Sequence, residues 1–128
     1  MKVIHTEQIE AAPVDMEGAV DCCVRCLIGP DDAAPSFSMR QFEVASGGHT
    51  PKHTHAYEHE VFVLDGSGVV LEGDREHPLR SGSAVYVPPN QLHQFRNTGG
   101  GPLKFLCLIP HPMRGMREMC VAACGCDG

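Results

Sequence analysis

The chain has no tryptophan and few rings of any kind, with aromatic residues at 5% of its 128 positions. It is rich instead in backbone breakers, 14 glycines and 10 prolines, which favour short strands and turns over long helices. Basic residues are scarce as well: 10 Lys and Arg stand against 16 Asp and Glu, a net charge of -6 with histidines neutral. A nucleic-acid surface needs clustered Lys and Arg, and so does an anionic membrane, so neither partner is expected. No apolar run approaches the length of a membrane span. Residues Met1 to Glu10 carry His5, Glu7 and Glu10 where a secretion signal needs an apolar stretch, and a cytoplasmic protein is expected. Seven cysteines form no even framework, and in that compartment they are expected to be reduced.

What is present is enough for one ordinary domain: 42% apolar residues to build a core, and 20% charged residues, which argues against disorder. Residues 1–18 read as a polar lead-in, 19–110 as the folded body and 111–128 as a cysteine-rich tail. Val20, Cys22, Val24, Cys26 and Ile28 alternate with Asp21, Cys23, Arg25 and Leu27, the period of a strand. Further strands are predicted over 37–44, 60–64, 84–87, 92–96 and 103–109. A turn is predicted at Ser46, Gly47 and Gly48. Residues 69–72, following Asp65-Gly66-Ser67-Gly68, read as the hairpin partner of 60–64. Short strands about ten residues apart point to an all-β sandwich or barrel, and roughly 90 residues suffice for one small jelly roll.

Four histidines carry the chemistry. His53 and His55 are two apart, so in extended chain both rings project to one face. His59 has the same parity, separated by Ala56, Tyr57 and Glu58, which can kink and return a third ring to the same point. His93 follows the turn at Pro88, Pro89 and Asn90, so two adjacent hairpins supply four nitrogens to one ion. Neutral imidazole binds a first-row metal through one nitrogen, while the other needs an orienting partner. His5, His49, His77 and His111 read as ordinary surface or core histidines.

The stretch Gly47-x5-His53-x-His55-x3-His59-x6-Gly66 resembles the first cupin motif, with His59 where most cupins carry glutamate. The stretch Gly82-x5-Pro88-x-Asn90-x2-His93-x3-Asn97 resembles the second, with Asn90 replacing its usual glycine. With Glu60-Val-Phe-Val-Leu-Asp-Gly66 and Phe105-Leu-Cys-Leu-Ile-Pro110 added to the histidines, the chain resembles the small bacterial four-histidine manganese cupins. That resemblance implies an all-β double-stranded β-helix, a jelly-roll barrel over 19–110 followed by the short cysteine-rich tail. It also implies a homodimer, a small-molecule substrate and, in some members, oxidative chemistry. Glu60 is the alternative third ligand. Counting back six residues from Gly66 leaves position 59, and His59 is therefore taken with His53, His55 and His93 as the metal set.

Ligand softness alone ranks Zn, Ni, Cu or Fe above Mn, whereas the resemblance favours Mn; the expected order is Mn, then Fe, then Ni or Zn. Four neutral imidazoles leave the ion its full charge and, in an octahedral shell, two open positions. On the last strand Leu103, Phe105, Cys107 and Ile109 share a face, opposed by Lys104, Leu106 and Leu108; if that face looks inward, Phe105 and Ile109 wall an apolar pocket with Cys107 near the ion. Arg40 shares a face with Phe42 and is a candidate for binding an anionic substrate. Tyr57, Arg40 and Cys107 are the candidate catalytic residues, with Glu58 the remaining acid or base. Cys22, Cys23 and Cys26 do not converge on a strand and read as core packing. Cys120, Cys124 and Cys126 could meet at a tail metal or oxidise to a pair. The expected function is a mononuclear metal-dependent oxidoreductase of dioxygenase type. The alternatives are a non-catalytic binding module or an isomerase-type cupin.

Overall fold

A computed structural model describes residues 1–110, so the tail and its cysteines Cys120, Cys124 and Cys126 lie outside the described residues. Among the described residues nine strands run in chain order: β1 (Ala12–Pro13), β2 (Val20–Ile28), β3 (Phe37–His49), β4 (His59–Asp65), β5 (Ser67–Glu72), β6 (Arg75–Arg80), β7 (Ala84–Val87), β8 (His93–Arg96) and β9 (Leu103–Pro110). Two single-turn 3-10 helices, Thr6–Gln8 and Pro30–Asp32, are the helical elements among the described residues. Every strand pairing is antiparallel. The strands form one sheet in the order β6-β5-β8-β3-β9-β4-β7, with β2 also on β3 and β1 on β2. This is the all-β architecture expected, a curled sheet rather than helices packed on strands.

Alternation decides which side chains enter the core. On β9, Leu103, Phe105, Cys107 and Ile109 are at most 2% exposed, while Lys104, Leu106 and Leu108 between them are half-buried. On β4, His59, Val61 and Val63 point inward and Glu60, Phe62 and Leu64 outward. The register places Val61 opposite Cys107 and Val63 opposite Phe105, so the two inward rows meet. Phe105 is at the centre, stacked on Phe42 at 5.3 Å and on Phe95 at 4.7 Å between ring centroids. Full burial of one such side chain contributes about 1.5–3 kcal/mol.

Two expectations are corrected. The chain does not turn at Ser46, Gly47 and Gly48; β3 continues through them to His49, which pairs with Val20 on one side and Arg96 on the other. Gly47, at φ 81°, bends the strand as its partner on one edge changes from β9 to β8. Residues 69–72 pair with β6 and β8, not with β4. The strand β6 itself was not anticipated, because Pro78 interrupts its pattern; Pro is tolerated there since β6 is the edge of the sheet. The polar lead-in also folds back onto β2: Ala12 pairs with Val24, the Arg25 Nε donates to the Ile9 carbonyl, and Val14 is buried in the core.

Gly66 joins β4 to β5 at φ 91°, and a Cβ there would run into the Pro102 carbonyl and the Leu103 backbone. Gly82 has φ 93° but open space around it. Gly82→Ala is therefore expected to cost only the left-handed strain, about 1–2 kcal/mol. Gly66→Ala adds a backbone clash and should cost about 2–4 kcal/mol. Urea unfolding of the two variants measures the difference; equal losses would remove the clash as its cause.

Candidate metal centre

His53 and His93 face each other across an isolated antiparallel bridge, each donating its backbone N–H to the other's carbonyl, at 3.2 and 3.1 Å. Side chains at such a pair emerge on the same side of the ladder. The turn before β8 is held by the Asn90 N–H, which donates to the His55 carbonyl at 2.7 Å. Asn90 adopts φ 66°, the left-handed conformation that asparagine tolerates better than most residues, which accounts for its standing in place of glycine. His59 opens β4, and its inward parity carries its ring to the same place.

One ring nitrogen each from His53, His55 and His93 lies within 4.8 Å of the others. His59 adjoins that trio rather than joining it at this spacing: its ring stacks on His55 at 4.1 Å and meets His93 edge-on at 5.4 Å. Two of the rings are set for ligation by their second nitrogen. The Nδ1 of His55 lies 3.0 Å from the Tyr57 carbonyl, and the Nδ1 of His93 lies 2.8 Å from the Gln91 carbonyl. A carbonyl only accepts, so both rings carry their proton on Nδ1 and present a bare Nε2 lone pair. The Nε2 atoms of His55 and His59 are buried with no hydrogen-bond partner. Buried polar atoms are rarely left so, and a cation is the partner that neutral nitrogen lone pairs accept. The donor set therefore fits a divalent transition metal.

Burial, first of all, holds every one of these rings below the ordinary histidine range, His55 to about 4 and His59 much further. The Arg40 guanidinium pushes His53, His55 and His59 the same way. Glu60, the alternative ligand, is exposed on the outward face of β4 and takes no part in the cluster. Partial desolvation and the adjacent Glu58 carboxyl push it up to about 7.

The rings form part of the wall of a cavity of about 230 Å³. Arg40, Tyr57 and Cys107 line it too, so the structure places these three candidates around the histidines. Arg40 is 1% exposed and donates from Nη2 to the Cys107 sulfur at 3.1 Å, and that sulfur lies 2.9 Å from the His59 Nδ1. Tyr57 stacks flat on His55 at 4.2 Å between ring centroids. Glu58 is not in the wall. Nor is Ile109: it is fully buried in the core, and Phe105 lines the cavity without it. Phe95 was missed, although it stands two residues after His93 and shares its inward face. Val14 and Met16 were missed because the lead-in has no periodicity to place them at the cavity.

Residues 40–109 match the Cupin domain family, more than half of the chain, and the protein belongs to that family. Among solved structures it is similar to the polyketide cyclase RemF from Streptomyces resistomycificus, 34% identical over 90% of this chain and 82% of that one, with a TM-score of 0.83. It is 29% identical to the uncharacterized protein MJ1618 of Methanocaldococcus jannaschii, over 84% of this chain and 86% of that protein. It is 40% identical to protein SchB of Streptomyces halstedii over 78 residues, where the match spans 56% of SchB.

Substituting His53 or His93 by Ala is expected to lower bound metal by more than about tenfold, with a smaller loss for His59→Ala and none for Glu60→Gln. Elemental analysis of the purified variants reads this; retained metal in His93→Ala would dismiss the centre. Acid should act on the metal-free protein through the same rings. They bind fewer protons folded than unfolded, since unfolded histidine titrates near 6.5 and His55 in the fold only near 4. Stability must then rise with pH across that window and fall as acid is added. A melting temperature that declines from pH 7 to pH 5 is expected; a level one would contradict the buried, neutral state of the cluster.

Proposed function

We propose that this cupin is a metal-dependent enzyme that closes or rearranges a small, largely apolar carbonyl compound, chemistry of the kind named for RemF. The observation that carries the reading is the convergence of three histidine nitrogens on the wall of a cavity whose remaining surface is mostly apolar. His53, His55 and His93 are the residues that would hold the ion, with His59 as fourth donor. Manganese is the first choice of ion, then iron, then nickel or zinc. When bound, a divalent ion supplies Lewis acidity toward a carbonyl oxygen.

The chain's own residues set the conditions. The carbonyls of Tyr57 and Gln91 fix the tautomers of His55 and His93, so both rings offer a lone pair without rearrangement. Phe42, Phe95 and Phe105 form a stacked apolar wall that excludes water and receives a planar body. Val14 and Met16 bound the cavity from the lead-in, so that segment influences which substrates enter. Likeness to RemF over nine-tenths of the chain supports cyclisation as the reaction.

A second reading, oxidation of a small molecule with dioxygen or peroxide, is favoured by the donor set itself. Among the described residues the cavity wall holds no carboxylate, and an all-nitrogen shell stabilises the higher oxidation state less than one with a carboxylate. We further propose a homodimer, supported by Phe62 and Tyr86, 45% and 60% exposed on the neighbouring strands β4 and β7. Incubating the protein with a linear aromatic poly-β-ketone, before and after chelation and manganese reloading, tests the leading reading. Ring closure should vanish on chelation and return on reloading. Oxygen uptake instead of ring closure would transfer the assignment to oxidation, and a protein that takes up no metal would end both.

A further inference from the structure

His59 differs from His55 and His93 in what holds its second nitrogen. The latter two direct Nδ1 to a backbone carbonyl, which can only accept. The Nδ1 of His59 lies 2.9 Å from the Cys107 sulfur, and a thiol can accept a hydrogen bond or donate one. The sheet register arranges the meeting. Val61 pairs with Cys107 and Glu60 with Leu108, so His59 and Cys107 are diagonal neighbours on the inward face of β4 and β9. Arg40, directly opposite Cys107 on β3, approaches the same sulfur with Nη2 at 3.1 Å. A guanidinium only donates, so in that contact the sulfur accepts. Both partners are buried, His59 at 7% exposure and Cys107 at 2%.

The far end of the ring indicates which way the His59 hydrogen bond runs. A neutral imidazole carries one N–H. On Nε2 it would be a buried donor facing no acceptor among the described residues, whereas a bare Nε2 is a lone pair open to an ion. We propose that Cys107 is a positioning residue: its sulfur accepts the Nδ1–H of His59 and thereby makes His59 the fourth nitrogen donor of the metal centre. Were the thiol to donate instead, the ring proton would sit on Nε2 and withdraw His59, leaving the trio of His53, His55 and His93. The inference rests on the reading of the cluster as a metal centre and adds the group that decides whether His59 joins it. Because that group is a side chain, the tautomer of His59 is open to substitution in a way that the carbonyl-held rings are not.

Long-range proton–nitrogen NMR correlations of the full chain, recorded metal-stripped and with zinc as a diamagnetic probe, read the tautomer and the coordinating nitrogen of each ring. In the stripped wild type His59 is expected as the Nδ1–H tautomer, and zinc should shift its Nε2 resonance together with the coordinating nitrogens of the trio. Cys107→Ala should lose the His59 shift, keep the other three and bind zinc about tenfold more weakly when followed at the His93 ring. Cys107→Ser keeps a hydroxyl acceptor and should restore both properties. In a His59→Ala background, Cys107→Ala should change that affinity by less than about twofold, since the sulfur acts through the missing ring. An Nε2–H tautomer of His59 in the stripped wild type would overturn the proposal, and this measurement decides it even if the variants fail to fold. So would an unchanged His59 tautomer and zinc shift in Cys107→Ala, or an equal loss of affinity with and without His59. Zinc that shifts none of the four rings would dismiss the metal centre itself; zinc held by the trio alone in the wild type removes only the role of Cys107.

Discussion

The paired backbone hydrogen bonds between His53 and His93 are the constraint on which the site depends. They join two segments forty residues apart at a register that sets the two side chains directly opposite each other on the same side of the ladder. His55 then follows from parity, and the Asn90 N–H bound to the His55 carbonyl keeps the second segment from sliding against the first. A slip of one residue would turn each ring to the opposite face and disperse the cluster. The positive φ at Asn90 belongs to the same device, since it turns the chain sharply enough for β8 to begin with His93.

Electrostatics explains why the cluster sits where it does. Four imidazoles packed ring against ring could not all be charged, and burial keeps them neutral, with Arg40 reinforcing the effect on three of them. The same burial that disfavours protons leaves nitrogen lone pairs directed into a space with little water. A wall of stacked phenylalanines and one buried guanidinium surrounds them.

Much of this was legible before folding. Parity in β9 set Leu103, Phe105, Cys107 and Ile109 on one face, because side chains alternate along a strand; with Leu106 and Leu108 apolar as well, packing decided which face is inward. The spacing of His53, His55, His59 and His93 announced a metal site for the same reason. It did not separate the three nitrogens within 4.8 Å from the adjoining His59, since ring stacking against His55 and contact with Cys107 are decided by packing. The strand β6 was invisible because Arg75, Glu76, His77 and Pro78 carry no alternation, and an edge strand needs none.

Periodicity, motif spacing and glycine or asparagine at the bends are local properties, and they determined the strands, the family and the identity of the candidate metal ligands. Contacts between distant segments are not written in any local pattern. Only the tertiary structure carried β3 through its glycines to reach β8, brought Val14 and Met16 to the cavity, and put Arg40 beside Cys107 and His59. The reason is that a strand's period specifies which face a residue occupies, while the sheet's register and curl decide what that face meets.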